Sequence, residues 1–212
     1  MKIYSQLSLE GFSNTYVVSS DSSSRCVVLD PGSMDSDLLT VFLKNRIEPE
    51  TVLITRDERH HTAGLKTLIK IYQPSVYGVD SFDLSFGPAD KAPDSNGSDM
   101  NPEKLVEYRT LALSDFSVTA ITFPGAWIDG SMYVIDSVLF PGPMLSAGGI
   151  REVDAGYPQA LLVEALRSVF DTLPKPTWIF PAYGPPTTIQ AELRSNPSLQ
   201  HPPEHFVPEE NG

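Results

Sequence analysis

The run Arg56-Asp57-Glu58-Arg59-His60-His61 places two guanidiniums, two carboxylates and two imidazoles in consecutive positions. Such side chains can ligate a metal, exchange protons near neutral pH, or hold an anion against fixed positive charge. Adjacent histidines cannot easily face one ion from a regular strand, because alternation sends them to opposite faces, whereas a loop permits it. A metal-free hydrolase would need a nucleophile, a base and an oxyanion stabiliser in mutual reach, and no Gly-x-Ser-x-Gly elbow occurs. Ser146, in Met144-Leu145-Ser146-Ala147-Gly148-Gly149, is read as an ordinary loop serine. Cys26 is the single cysteine and lies in the apolar run Cys26-Val27-Val28-Leu29. It is expected to be a buried structural thiol; no intramolecular disulfide can form, and a reducing, cytoplasmic home follows as the expectation.

The elements that must hold these residues can be read from periodicity. Alternating apolar residues predict strands at Lys2–Ser8, Asn14–Ser19 and Arg25–Asp30, after which Asp30-Pro31-Gly32 breaks the sheet. Asp35–Arg46 reads as a helix with Leu38, Leu39, Phe42 and Leu43 on one face; Asp35 and Asp37 near its start and Lys44 and Arg46 near its end suit the helix dipole. A short strand, Val52–Ile54, leads into the polar cluster, and a second helix covers Gly64–Tyr72. Ser75–Gly78 is a further strand, and Asp80–Pro102, rich in Asp, Ser, Pro, Gly and Asn, reads as a long surface loop.

The second half repeats the logic with strands at Glu107–Leu113, Phe116–Thr122, Ser131–Ile135 and Val138–Phe140. A helix at Gln159–Leu173 carries Leu161, Leu162, Ala165, Leu166, Val169 and Phe170 on one broad face, and a strand at Thr177–Phe180 and a helix at Thr187–Ser195 follow. Two halves of strands and helices predict two sheets packed face to face with helices outside. Residues 1–195 form the expected domain, and 196–212, with four prolines and three glutamates, the expected poorly ordered or surface-pinned tail.

The chain has 212 residues, enough for one full domain with its own core. No run of about 18 apolar residues occurs, so no membrane-spanning helix is expected. The N-terminus alternates apolar and polar residues instead of showing a basic segment before an apolar stretch, so no secretion signal is expected. A net charge of −12 disfavours nucleic acid and anionic membrane as partners, since both bind mainly through phosphate contacts.

Taken in order, five segments resemble the metallo-β-lactamase superfamily, in the branch that looks like glyoxalase II. The Asn-x-Tyr strand Asn14-Thr15-Tyr16 precedes Val27-Val28-Leu29-Asp30-Pro31-Gly32, similar to the family's strand ending in Asp-Pro-Gly. Ile54-Thr55-Arg56-Asp57-Glu58-Arg59-His60-His61-Thr62-Ala63-Gly64-Leu65 aligns without a gap to a strand followed by Thr-His-x-His-x-Asp-His-x-x-Gly-Leu. Pro124-Gly125-Ala126-Trp127-Ile128-Asp129-Gly130-Ser131 resembles Pro-Gly-His-x-x-Gly-Ser with one residue more before the second glycine. Val138-Leu139-Phe140-Pro141-Gly142-Pro143 stands where relatives have Leu-Phe-x-Gly-Asp, and Phe180-Pro181-Ala182-Tyr183-Gly184-Pro185 resembles Pro-Gly-His-Gly-Pro.

The resemblance implies an α/β fold, the four-layer αββα sandwich, and in relatives a pair of zinc ions with a bridging hydroxide. Of the aligned ligand positions, only His61 keeps its residue type. The first site's positions hold Arg56, Glu58 and Ala126; the second site's hold His60, His61, Pro143 and Tyr183. The Arg56 guanidinium would sit near a dication and repel it, and Pro143 and Ala126 have no side-chain donor. Turn and packing residues survive meanwhile: Asp30, Thr55, Gly64, Pro124, Gly125, Gly130, Ser131, Gly142 and Gly184.

The expected pocket gathers Asp30, Arg56, Asp57, Glu58, His60, His61, Trp127, Asp129 and Tyr183, with Arg56 filling the vacated metal space and pairing with Glu58 or Asp30. Trp127 is expected to plug the old cavity rather than stack a planar ligand, and Gly142–Gly149 to form a flexible rim. No cofactor is favoured; zinc or iron, if bound, would fall to Glu58, His60 and His61. The expected function is a remodelled, metal-free, non-catalytic pseudoenzyme that binds a small anionic molecule or a protein partner, a homodimer being compatible. The alternatives are a divergent metal-dependent hydrolase and, because Glu58 matches the flavodiiron pattern His-x-Glu-x-Asp-His, a diiron redox or oxygen-binding relative.

Overall fold

Strand alternation decides which of three cores each residue enters. In β2 (Asn14–Ser19), β3 (Arg25–Leu29) and β4 (Glu48–Leu53), the side chains of Tyr16, Val18, Val27, Leu29 and Leu53 point one way and those of Val17, Cys26, Val28 and Val52 the other. The computed structural model describes residues 1–78, 106–113, 115–123, 130–152 and 159–200. The expected loop at 80–102, the segment holding Trp127 and Asp129, and residues 201–212 lie outside the described residues.

The first sheet runs β1 (Lys2–Leu7), β2, β3, β4, β5 (Ser75–Tyr77). Its first pairings are antiparallel and β3–β4 and β4–β5 are parallel. Parallel neighbours need crossovers, supplied by α1 (Ser36–Asn45) and by α2 (Arg59–Thr62) with α3 (Leu65–Tyr72). The second sheet is ordered β13 (Thr187–Thr188), β12 (Trp178–Ile179), β9 (Val138–Phe140), β8 (Ser131–Ile135), β7 (Phe116–Thr122), β6 (Glu107–Leu113), with β9 and β12 parallel across α4 (Gln159–Thr172). A small hairpin, β10 (Leu145–Ser146) with β11 (Gly149–Ile150), projects beyond β9.

Between the sheets lies a core of Tyr16, Val18, Val27, Leu29 and Leu53 against Phe116, Val118, Tyr133, Ile135 and Phe140. Outside the first sheet, Val28, Val52 and Ile54 pack on Leu38 and Phe42 of α1 and Leu65 and Leu68 of α3. Outside the second, Ile121, Met132 and Leu139 pack on Leu162, Leu166, Val169 and Phe170 of α4. Three apolar layers between four structural layers make the αββα sandwich that the sequence predicts.

Several boundaries differ. Leu43, expected on the buried face of α1, is 75% exposed, because the face turns on Leu38 and Phe42 with Val41 beside them. The end of the polar cluster, to which the sequence assigns no element, forms the short helix α2. Thr187 and Thr188 pair as a strand with β12, so the next helix, α5 (Ile189–Ser195), begins later; Thr188 caps it by accepting from the Ala191 N–H at 3.1 Å. Asn196 and Leu199, assigned by the sequence to the tail, are buried, and α6 (Pro197–Gln200) packs against the core over α4. The expected flexible rim is partly core, since Met144 and Leu145 are buried.

Gly142 shows how tightly the layers meet. Its φ is +60°, and a Cβ there would collide with the Thr55 side chain at the end of β4. Gly142→Ala should therefore lower the unfolding free energy by about 1–3 kcal/mol. Urea denaturation would measure it, and an unchanged midpoint and slope would refute the close approach.

Candidate functional site

The site grows from the end of β3. Asp30 takes a left-handed backbone conformation, φ 47°, which aspartate tolerates better than most residues. The turn is held by the Thr15 hydroxyl, which donates to the Asp30 carbonyl at 2.7 Å and accepts from the Gly32 N–H at 3.2 Å. The buried Asp30 carboxylate is thereby aimed across to β4. Its Oδ1 accepts from the Thr55 N–H at 2.7 Å and its Oδ2 from the Thr55 hydroxyl at 2.5 Å.

Oδ2 also lies 3.2 Å from His61 Nδ1, an electrostatic contact without the alignment of a hydrogen bond. His61 is fully buried on α2. Burial pulls its pKa down, but the Asp30 carboxylate outweighs that and leaves the imidazole above its ordinary value of 6.5. On the other side of the ring, Nε2 stands 3.5 Å from the Tyr183 hydroxyl, the two rings meeting edge to face at 5.8 Å. Burial raises the Tyr183 phenol, and the nearby negative charges of Glu58 and Asp30 push it the same way.

Tyr183 is placed by backbone rather than by a regular element. Asn14 Nδ2 donates to the carbonyls of Pro181 and Gly184 at 3.0 and 2.9 Å, the Asn14 N–H to Ala182 O at 2.7 Å, and the Tyr16 hydroxyl to Pro181 O at 2.7 Å. The Ala182 N–H reaches Gly142 O at 3.0 Å. The Asn-x-Tyr strand thus clamps the loop that carries Tyr183.

Arg56 and Glu58 form an ion pair through Nε and Oε1, their side chains 13% and 34% exposed. The same Oε1 lies 3.5 Å from Nη2 of Arg151. Two cations therefore share one carboxylate oxygen at the opening beside His61 and Tyr183.

The 177 matched residues are 25% identical to a hydroxyacylglutathione hydrolase of Klebsiella pneumoniae, covering 82% of this chain and 63% of that protein, so the chain spans less than two thirds of the relative's length. Among solved structures, the BLEG-1 B3 metallo-beta-lactamase superposes with a TM-score of 0.73 at 22% identity, over 94% of this chain and all of the other. ETHE1 from Myxococcus xanthus gives 0.72 at 21%, over 94% of this chain and 84% of that one. The chain has the metallo-β-lactamase fold. No family model matches it.

The described residues at this mouth do not suit a metal. Among the described residues no three His, Cys, Asp or Glu side chains are grouped to hold an ion. One helical step separates the side chains of His60 and His61: His61 turns in to Asp30, while the exposed His60 packs on Gly11 of the β1–β2 loop and its carbonyl accepts from the Ser13 hydroxyl at 2.6 Å. Glu58, His60 and His61, the set the sequence offers for zinc or iron, are therefore not brought together. Arg56 brings a fixed positive charge to this mouth, where it would oppose a cation, and Pro143 offers no side-chain donor.

Of the other sequence-predicted residues, Asp30, Arg56, Glu58, His61 and Tyr183 meet at one mouth of the sandwich, and Asp57 is solvent-exposed. Trp127 and Asp129 lie outside the described residues. Arg56 pairs with Glu58, not with Asp30, whose oxygens Thr55 and His61 occupy. Sequence reasoning missed Arg151, which stands in no motif.

His61 links the site to stability. Its folded pKa is raised, so its contribution is complete below the ordinary value of 6.5 and is lost as pH rises through the higher folded value. Wild-type unfolding free energy should fall relative to that of His61→Gln as pH rises from about 6 to about 8. Paired denaturation curves would measure the difference, and parallel pH profiles would rule out the Asp30–His61 interaction.

Proposed function

We propose that this chain is a metallo-β-lactamase-fold protein whose pocket has been rebuilt to bind a small anionic molecule in place of catalytic zinc, a non-catalytic member of its superfamily. The observation that carries the reading is the Arg56–Glu58 ion pair, standing where the second motif aligns with two ligands of the first metal. A guanidinium stays charged at every physiological pH, so this is a permanent cation in a position that in relatives belongs to a dication. His61, the one retained ligand type, faces Asp30 with Nδ1 and Tyr183 with Nε2.

A net charge of −12 supports a small anion over a polyanion, because the field of the whole chain opposes nucleic acid while the local guanidiniums attract a single anionic group. A cytoplasmic home is supported by the lone Cys26, buried with its thiol pushed up to about 12 by burial, as a structural thiol would be. Among the described residues no helix is long and apolar enough to cross a membrane.

A metal-dependent hydrolase is the second reading, favoured by the similarity to hydroxyacylglutathione hydrolase and by the retention of His61. The two separate on metal content. After incubation of the untagged protein with zinc, iron or manganese and removal of excess, elemental analysis should find less than about 0.1 equivalent bound; one or more tightly held equivalents would overturn the proposal. The ion pair itself is tested by Arg56→Ala, which should cost about 1–3 kcal/mol of stability, less than a fully buried pair because Glu58 is partly solvated. An unchanged denaturation midpoint would remove the pair from the account.

A further inference from the structure

Arg151 changes what the site can hold. It follows β11, with its N–H donating to Met144 O at 3.0 Å and its carbonyl accepting from Gln159 Nε2 at 2.7 Å. The hairpin behind it is pinned by the buried Glu192 carboxylate, whose oxygens accept from the Gly148 N–H at 3.1 and 3.2 Å, from the Thr187 hydroxyl at 2.7 Å and from Asn196 Nδ2 at 2.8 Å. Arg151 is thus presented from a pinned hairpin beside the second sheet, and Arg56 from just beyond β4 of the first.

Both guanidiniums approach Oε1 of Glu58. Arg151 Nη1 is buried and has no hydrogen-bond partner among the described residues. Asp30, the other carboxylate at this mouth, is satisfied by Thr55 and His61. Two guanidiniums therefore converge on one carboxylate oxygen, and one of them keeps a buried donor open among the described residues. Planar guanidiniums match the oxygens of carboxylate and phosphate, and two of them on one oxygen outline a receptor for such a group.

We propose that Arg56 and Arg151 form a two-pronged receptor for the oxyanion of a small carboxylate or phosphate compound, and that Glu58 is a resident placeholder which swings out when that ligand enters. Glu58 is suited to leave, being 34% exposed and the residue that caps α2 without a side-chain capping bond. The inference rests on the anion-pocket reading and adds the partner arginine, the ligand group and the displaced side chain.

The test is calorimetric titration of the full chain with inorganic phosphate and, separately, acetate, at matched ionic strength, in wild type, Glu58→Gln, Arg56→Gln, Arg151→Gln and Arg151→Lys, with circular dichroism confirming the fold of each. Glu58→Gln should bind about tenfold more tightly than wild type, and Arg151→Gln at least about tenfold more weakly. Arg151→Lys, which keeps the charge but loses the fork, should fall below wild type as well. Whichever anion binds more tightly identifies the ligand group. If Arg56→Gln abolishes binding while Arg151→Gln and Glu58→Gln match wild type, the receptor is overturned and the anion pocket stands. If neither anion binds any form, Glu58→Gln included, the receptor and the anion pocket both fall.

Discussion

The structure at this mouth depends on one buried carboxylate. Among the described residues Asp30 has no permanent cation against it, yet it is removed from water, so its charge must be met by oriented dipoles and by the neighbouring imidazole. Thr55 supplies a backbone N–H and a hydroxyl, and His61 an imidazole whose protonated form the carboxylate favours. Those contacts fasten the end of β3 to the end of β4 and to α2. Thr55 then reaches the second sheet: its carbonyl accepts from the Ser131 N–H at 2.7 Å, and its side chain leaves room only for a glycine at 142. A single polar node therefore sets the spacing of two sheets at the place where their loops converge.

That node constrains the chemistry nearby. With one face of the His61 ring turned to Asp30 and the other to Tyr183, the imidazole sits inside a line of polar groups rather than beside an open coordination sphere. The permanent charges lie one step outward, on Arg56, Glu58 and Arg151, where partial exposure screens them and lets side chains exchange partners. The inner groups hold geometry, and the outer groups are free to meet a ligand.

Much of this was legible in the sequence because it is local or periodic. Alternation located β2, β3, β7, β8 and β9, and the Asp-Pro-Gly turn and the Thr55 position belong to short contiguous segments whose spacing survives inspection. The Arg56–Glu58 pair could be anticipated because its members are two residues apart. Arg151 could not: it reaches Glu58 across the two sheets from a glycine-rich hairpin that no hydrophobic period marks. Leu43 misled for a related reason, since an apolar residue at helical spacing carries no label saying where the partner sheet ends. Asn196 was read by composition as tail, yet its side chain completes the shell of a buried carboxylate, a contact that only the folded chain defines.

These details bear on how a fold of this kind can exchange one chemistry for another. The groups that shape the mouth are backbone carbonyls and N–H groups, the Asn14 clamp on residues 181–184, and the Asp30–Thr55 node. None of them uses the side chains at positions 56, 58 or 183 as a structural member. A change of side chain at these positions leaves the frame's hydrogen bonds intact, while each residue there brings its own electrostatic demand. Arg56 is accommodated because Glu58 lies within reach to balance it, and Arg151, approaching from the hairpin beside the second sheet, converges on the same carboxylate oxygen. The frame keeps the shape of the mouth, and the side chains at 56, 58 and 151 set its charge pattern.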